Sequence, residues 1–191
     1  LSKKIVTGCR FSLSVMSDSY VNMIVGAIKK VNTANVWSAT DALSTTYRGR
    51  REHVLDGVKG VFTAVNDGRT HITMEAAFSK GCPNDSDDDY VLAEDGTLLN
   101  QSSEKFGVLS KIAFYPLGTE RYMEHISAVI KMARERGIFG KISHYATEIS
   151  GDVNEIFGFL GDALEYAEKN TEHYVLQTTL SVNSPSLQGG K

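Results

Sequence analysis

Side chains able to do chemistry recur in this sequence at one interval. Thr45 and Thr147 stand 102 residues apart, and so do His71 and His173. A hydroxyl both donates and accepts a hydrogen bond, so it can read the edge of a heteroaromatic ring. An imidazole can do the same, or act as a base. Thr45 and Thr147 are set among apolar neighbours on what should be the helix-covered side of a sheet. A hydroxyl there must find a partner, and a ligand can be that partner. His71 and His173 open predicted strands, where a strand-end hydrogen bond accounts for them as readily as chemistry does. Ser12, Ser44 and Thr46 add further hydroxyls. Trp37 and Tyr115 add flat aromatic surface, and His144 and Glu148 a base and a carboxylate.

Other chemistries find little footing. Cys9 and Cys82 belong to no CxxC or Cys/His cluster, which excludes a conventional zinc site and leaves two reduced thiols. Asp85 to Asp89 opens like a calcium loop, but Tyr90 stands where that loop needs Gly and Gly96 where it needs Glu. His144 and Glu148 fall on a predicted strand, so their spacing is not that of a helical metal pair. Arg48-Gly49-Arg50-Arg51 leads into a helix N-terminus, an anion-attracting place, yet the second copy has Ser150-Gly151-Asp152-Val153. A solvated basic turn is the simpler reading. There is no GxSxG, P-loop, GxGxxG or HExxH, and no nucleophile–base pair follows from spacing. Binding without catalysis, and without a cofactor or metal, is the expectation.

The elements that must position these residues are themselves duplicated. Displaced by 102 residues, Tyr20–Pro83 overlies Tyr122–Pro185 without a gap, with identities such as Tyr20/Tyr122, Gly49/Gly151 and Pro83/Pro185. Phe11, Leu13 and Val15 alternate with Ser12 and Ser14 as in a half-buried strand. Tyr20, Ile24, Ala27, Ile28 and Val31 have helical spacing after Ser17-Asp18. Asn35–Thr40 and Ala42–Arg48 read as a hairpin, Val54–Val65 as a second helix, and His71–Ser79 as a last strand. The second copy repeats this order over Lys111–Leu117, Thr119–Arg136, Ile138–Ile142, His144–Ser150, Asp152–Asn170 and His173–Val182. The fold class is α+β: tandem ferredoxin-like βαββαβ repeats over 8–83 and 109–186, joined by an acidic linker at 84–108. Two antiparallel four-stranded sheets are expected, each with two helices on one face. The uncovered faces would meet solvent, the other sheet, a second subunit or a ligand. In this topology the first and last strands of a unit are neighbours, so Cys9 and Cys82 should lie within about 10 Å of each other.

The 191 residues carry a formal net charge of −3 with a pI near 6.0, which argues against nucleic acid, since phosphate binding needs a basic face. No apolar run reaches membrane-spanning length, and Leu1–Val6 is too short and polar for a signal peptide, so a cytoplasmic location is expected.

Taken in order, Arg10-Phe-Ser-Leu13, Asn35-Val-Trp37, Thr40-Asp41, Ser44-Thr45, Arg48-Gly49, His71-Ile-x-Met74, Phe78-Ser-x-Gly-Cys-Pro83, Tyr115-Pro-Leu117, His144-Tyr-Ala-x-Glu148, Gly151-Asp152 and Leu180-Ser-x-Asn-Ser-Pro-Ser186 resemble the YkoF-like family of thiamin- and hydroxymethylpyrimidine-binding proteins. The resemblance spans about residues 8–186. It implies ACT-like tandem units in a homodimer, with one thiamin or pyrimidine-precursor site per repeat and no catalysis. It also implies a part in thiamin-precursor uptake or salvage beside a membrane transporter. The family motif covers both Thr45 and Thr147, which become the first candidates for hydrogen bonding to the ring edge. Ser12, Trp37, Ser44, Thr46, His71, Tyr115, His144, Glu148 and His173 are the further ligand-binding candidates. Glu75, Asp41 and Glu148 suit a cationic thiazolium. The first copy departs from the second where Ser14-Val15-Met16 stands in place of Tyr115-Pro116-Leu117. An ACT-like regulatory module that binds an amino acid, and a small ferredoxin-like enzyme using His71 or His173 as base, stay open as alternatives.

Overall fold

The computed structural model describes residues 5–81 and 88–187. The first half runs β1 (Thr7–Val15), α1 (Tyr20–Lys30), β2 (Val36–Thr40), β3 (Thr45–Gly49), α2 (Arg51–Val65) and β4 (Ile72–Lys80). The second runs β5 (Gly107–Leu117), α3 (Tyr122–Glu135), β6 (Phe139–Ser143), β7 (Ala146–Asp152), α4 (Val153–Asn170) and β8 (His173–Val182). The βαββαβ order thus holds twice.

The expectation of two separate sheets is corrected. A single antiparallel sheet of eight strands runs β2-β3-β1-β4-β8-β5-β7-β6. Its halves join where β4 pairs with β8, from Ile72 opposite Val182 to Lys80 opposite Tyr174. The physical reason lies in the topology: β4 and β8 would each be a long open edge of an isolated unit, and pairing satisfies both rows of backbone groups at once. The edges that remain, β2 and β6, are only 5 residues each. Ala76 pairs with Thr178, its own counterpart at the 102-residue interval, so a local two-fold axis passes through that pair.

Alternation then assigns the two faces. Cys9, Phe11, Met74, Phe78, Leu176 and Leu180 point to one side and are buried under helices packed in the order α1, α2, α4, α3. Phe62, Phe157, Phe159 and Leu160 fill the middle of that layer. Burial pushes the Cys9 thiol well above its ordinary pKa, which keeps it protonated and unreactive. Cys82 lies outside the described residues, so its predicted closeness to Cys9 does too. The opposite face, carrying Arg10, Ser12, Thr46, Glu75, Gln177, Lys111 and Tyr115, is covered by none of the helices among the described residues.

The stretch between the halves was expected to be linker and surface loop up to residue 108. Instead β5 already opens at Gly107, which pairs with Asp152. Much of the stretch before it is strapped to the first half. Arg50 donates to the carbonyl of Ala93, and Asn35 to that of Thr97. The buried Asp56 on α2 accepts from the backbone amides of Leu99 and Asn100 and from the side chains of Asn100 and Gln101. A Cβ on Gly49 would lie 2.7 Å from the Val91 carbonyl, so the close approach of this strap requires glycine there.

Candidate functional site

Thr45 opens β3 and Thr147 is the second residue of β7; both are buried on the helix-covered side, at 5% and 6% exposure. Thr45 lies opposite Phe11 on β1, and Thr147 opposite Ile112 on β5. Their other neighbours differ. Across the β2–β3 hairpin Thr45 meets Thr40, and the two hydroxyl oxygens are 2.9 Å apart in a hydrogen bond. Across the β6–β7 hairpin Thr147 meets Ile142, which offers no polar group.

Each hydroxyl sits at the foot of a hairpin whose tip is apolar and exposed. Register places that tip at the same end of the half as the exit of its first strand and the start of its first helix. Met16, Tyr20, Val21 and Leu43 are exposed there in the first half. Leu117, Tyr122, Met123 and Tyr145 occupy the corresponding places in the second, the first pair after a one-residue slip. These four duplicated pairs supply eight of the fourteen large apolar side chains exposed among the described residues, far more order than scattered surface hydrophobes show. Tyr145 is 98% exposed with φ of 65°, and Leu43 is 85% exposed.

A groove of about 370 Å³ opens on the other face of the first half, lined by Arg10, Ser12, Asp41, Leu43, Ser44, Thr46, Glu75 and Gln177. Three of the candidate hydroxyl residues (Ser12, Ser44 and Thr46) are therefore brought together. Thr45 is not among them, because successive residues of a strand face opposite ways. Asp41 caps the hairpin: its Oδ1 accepts from the amides of Leu43 and Ser44, which holds its carboxyl below the usual range. The groove joins Asp41 and Glu75, both singled out for a cation, with Arg10 and Gln177, and that meeting could not be read from sequence. The latter two residues come from strands that are neighbours only through the joined sheet.

The remaining candidates are scattered. His71 immediately precedes β4, and its Nε2 is 3.1 Å from the Ser181 hydroxyl, a strand-end hydrogen bond across the joint between halves. His173 starts β8 opposite Leu117. Trp37 is half-buried on the uncovered face opposite Arg48, and Tyr115 is exposed on that face in the second half. Neither can stack on a ring held at Thr45 or Thr147. His144 is not on a strand as expected; it forms the exposed two-residue turn with Tyr145, because the positive φ of Tyr145 ends β6 there. Glu148 faces the open side opposite Lys111. Phe139, a possible ring platform, already carries the Arg134 guanidinium 3.7 Å above its ring.

No helix of the described residues is long and apolar enough to cross a membrane. In sequence, the profile of the "YKOF-related Family" matches residues 6–85 and again 108–187. A protein of Bacillus subtilis (strain 168) named "Putative HMP/thiamine-binding protein YkoF" is 34% identical over 189 residues, covering 97% of this chain and 94% of that protein. Among solved structures, "a putative thiamine biosynthesis/salvage protein" from Thermotoga maritima superposes with a TM-score of 0.37 at 22% identity, over 40% of this chain and 83% of that one. With its two copies of the profile and a relative matched nearly end to end, this chain belongs to the YkoF-related family.

Proposed function

We propose that the protein is a non-catalytic binder of thiamine, of its hydroxymethylpyrimidine precursor, or of both, with one site per repeat. The observation that carries this is the duplicated pairing of a buried threonine hydroxyl with an exposed apolar rim, Thr45 in one half and Thr147 in the other. An aminopyrimidine needs both features: a donor-acceptor group for its polar edge and an apolar wall for its flat face. Ser12, Ser44 and Thr46 are assigned to the open-face groove and not to the ring sites. The name of the Bacillus subtilis relative supports the ligand class. A cytoplasmic homodimer that hands thiamin precursors on from a transporter is the role this reading implies. The exposed Tyr115 on the uncovered face is where a second copy would cover apolar surface.

Calorimetry with thiamine and hydroxymethylpyrimidine tests the reading. Two binding events per chain are expected. Thr45→Val should weaken one about tenfold and Thr147→Val the other, the worth of one hydrogen bond. Absence of heat and of any thermal shift at millimolar ligand would overturn it, as would equal loss of both events in either variant. Sedimentation of Tyr115→Glu against the parent protein tests the homodimer: an unchanged dimer removes that face from the interface.

A further inference from the structure

The open-face groove of the first half continues into a second recess of about 180 Å³, lined by Gly8, Arg10, Thr46, Arg48, Ala77, Ser79 and Lys80. Arg10, Thr46 and Ala77 border both, so the two form one trough along β1. Its charge is graded. Asp41 and Glu75 stand at one end, Arg10 in the middle, and Arg48 at the other, while the Lys80 ammonium turns to the helix side and donates to the Glu168 carbonyl on α4. Among the described residues neither Arg10 nor Glu75 has a side-chain hydrogen bond or salt bridge; both are exposed, and Arg10 lies close enough to Asp41 to help hold its carboxyl low. Arg48 is held in place by a bond of 2.6 Å to the Asp89 carbonyl.

The spacing of these charges selects among ligands. Glu75 is registered with Ser12, and Arg10 follows two residues along β1, about 7 Å away at the usual strand rise. Arg48 is registered with Gly8, about 7 Å further. An α-amino acid carries both charges on neighbouring atoms and would engage one end only. A simple cation would leave the basic end unused, and a simple anion would be repelled from the acidic end. We propose that this trough binds an organic cation that carries a phosphate ester: the cationic ring lies at Asp41 and Glu75, and the phosphate on Arg10 towards Arg48. Ser12, Ser44 and Thr46 supply hydroxyls between the two. Taken with the proposed ligand class, on which the choice of vitamin rests, the trough is a site for phosphorylated thiamine, separate from the ring sites at Thr45 and Thr147.

The site belongs to the first half alone. At the corresponding places the second half has Lys111 for Arg10, Ser143 for Asp41, Glu148 for Thr46 and Gln177 for Glu75, which removes the acidic end and puts a carboxylate beside the cation. The trough also backs directly onto the first ring site. Ser44 and Thr46 line it while Thr45, between them in sequence, faces the helices, so the two sites lie on opposite faces of the same strand.

Calorimetry of the full chain with thiamine monophosphate, thiamine and phosphocholine decides the matter; phosphocholine has the same two charges and no pyrimidine. Thiamine monophosphate should show one binding event per chain beyond those of thiamine. Arg10→Gln should weaken that event between tenfold and a hundredfold, as loss of a charge-assisted bond does. Thr45→Val and Thr147→Val should leave it in place. Phosphocholine should bind with the same dependence on Arg10 and Glu75→Gln, even if thiamine itself does not bind. Failure of thiamine alone would therefore remove the ring sites and leave the trough standing. The proposal is overturned if both phosphorylated compounds fail to bind, if Arg10→Gln binds them as the parent does, or if thiamine displaces phosphocholine, which would make the trough the vitamin's own ring site.

Discussion

The two halves share a skeleton and differ where polar side chains meet it. Buried positions correspond closely: Val54 with Ile156, Val58 with Leu160, Met74 with Leu176, Phe78 with Leu180. Thr45 and Thr147 are kept too. Around them the chemistry has moved. Thr40 bonds Thr45 in the first half, and Ile142 stands at that place in the second. Asp41 caps the first hairpin where the second has Ser143. Arg50 precedes α2 without a side-chain cap, and Asp152 precedes α4 with a full capping box made with Glu155. A duplicated fold thus tolerates drift at its rims while its interior keeps to volume and apolarity, because the interior is packed at crystal density and the rims are not. Two sites in one chain are thereby free to become unequal.

The largest expected effect tests whether the halves are one cooperative unit. Phe78 and Leu176 face each other across the β4–β8 joint and are fully buried. Phe78→Ala should cost about 3–5 kcal/mol and Leu176→Ala about 2–5 kcal/mol, each with a single calorimetric transition. Two resolved transitions in the parent protein would show that the halves melt apart and that the joint is incidental. The next effect concerns the ring sites. Thr40→Ile should release the Thr45 hydroxyl and make the first site behave like the second, and Ile142→Thr should do the reverse, each by about tenfold in affinity for the pyrimidine. Titrations in backgrounds carrying Thr147→Val or Thr45→Val isolate each site, and unchanged affinities would remove the hairpin partner as the source of inequality.

Smaller effects follow at the helix starts and the hairpin tip. Asp152→Ala should lower stability by about 1 kcal/mol through loss of the cap. Arg50→Ala should leave α2 little changed and instead speed amide exchange in the strap near Ala93. The smallest effect depends on pH. Hydrogen bonds from Leu43 and Ser44 hold the Asp41 carboxyl below its ordinary pKa. Its contribution is therefore present above the unfolded carboxylate value of about 4, and is lost as pH falls through the lowered value. Protection factors of the Leu43 and Ser44 amides, taken against the intrinsic exchange rate at each pH, should fall on acidification, Asp41→Asn should remove most of that dependence, and the second hairpin, with Ser143, should show none from this source.

The sequence carried the strand and helix order because alternation and helical spacing are local signals, and the 102-residue interval let each half check the other. Pairing between the halves was not legible: β4 and β8 read the same whether their edges are open or joined, and nothing in a strand's own residues names its neighbour. The strap was hidden for a related reason. The region around Asp95-Gly96 looks like loop by composition, and what holds the residues after it, the buried Asp56 carboxylate together with Asn32 and Asn35, is far away in sequence. Thr45 and Thr147 stood out because they are hydroxyls at matched apolar positions. The open-face trough did not, since its charges come from β1, the β2–β3 hairpin and β4, with the neutral Gln177 added from β8, and these meet only in space.

The axis through Ala76 and Thr178 has a consequence for the chain as an object of engineering. A protein whose halves meet edge to edge about a two-fold is a covalent dimer, and its covalent link need not be where the ladder forms. Cut after Gly81, the chain would yield two fragments whose matching edges are β4 and β8, with the strap left on the second fragment as a clamp reaching back to α2. Co-expressed, the pieces should find each other through nine residue pairs of backbone and the Asp56 anchor, making the molecule a natural candidate for a split reporter whose reassembly is driven by a sheet edge.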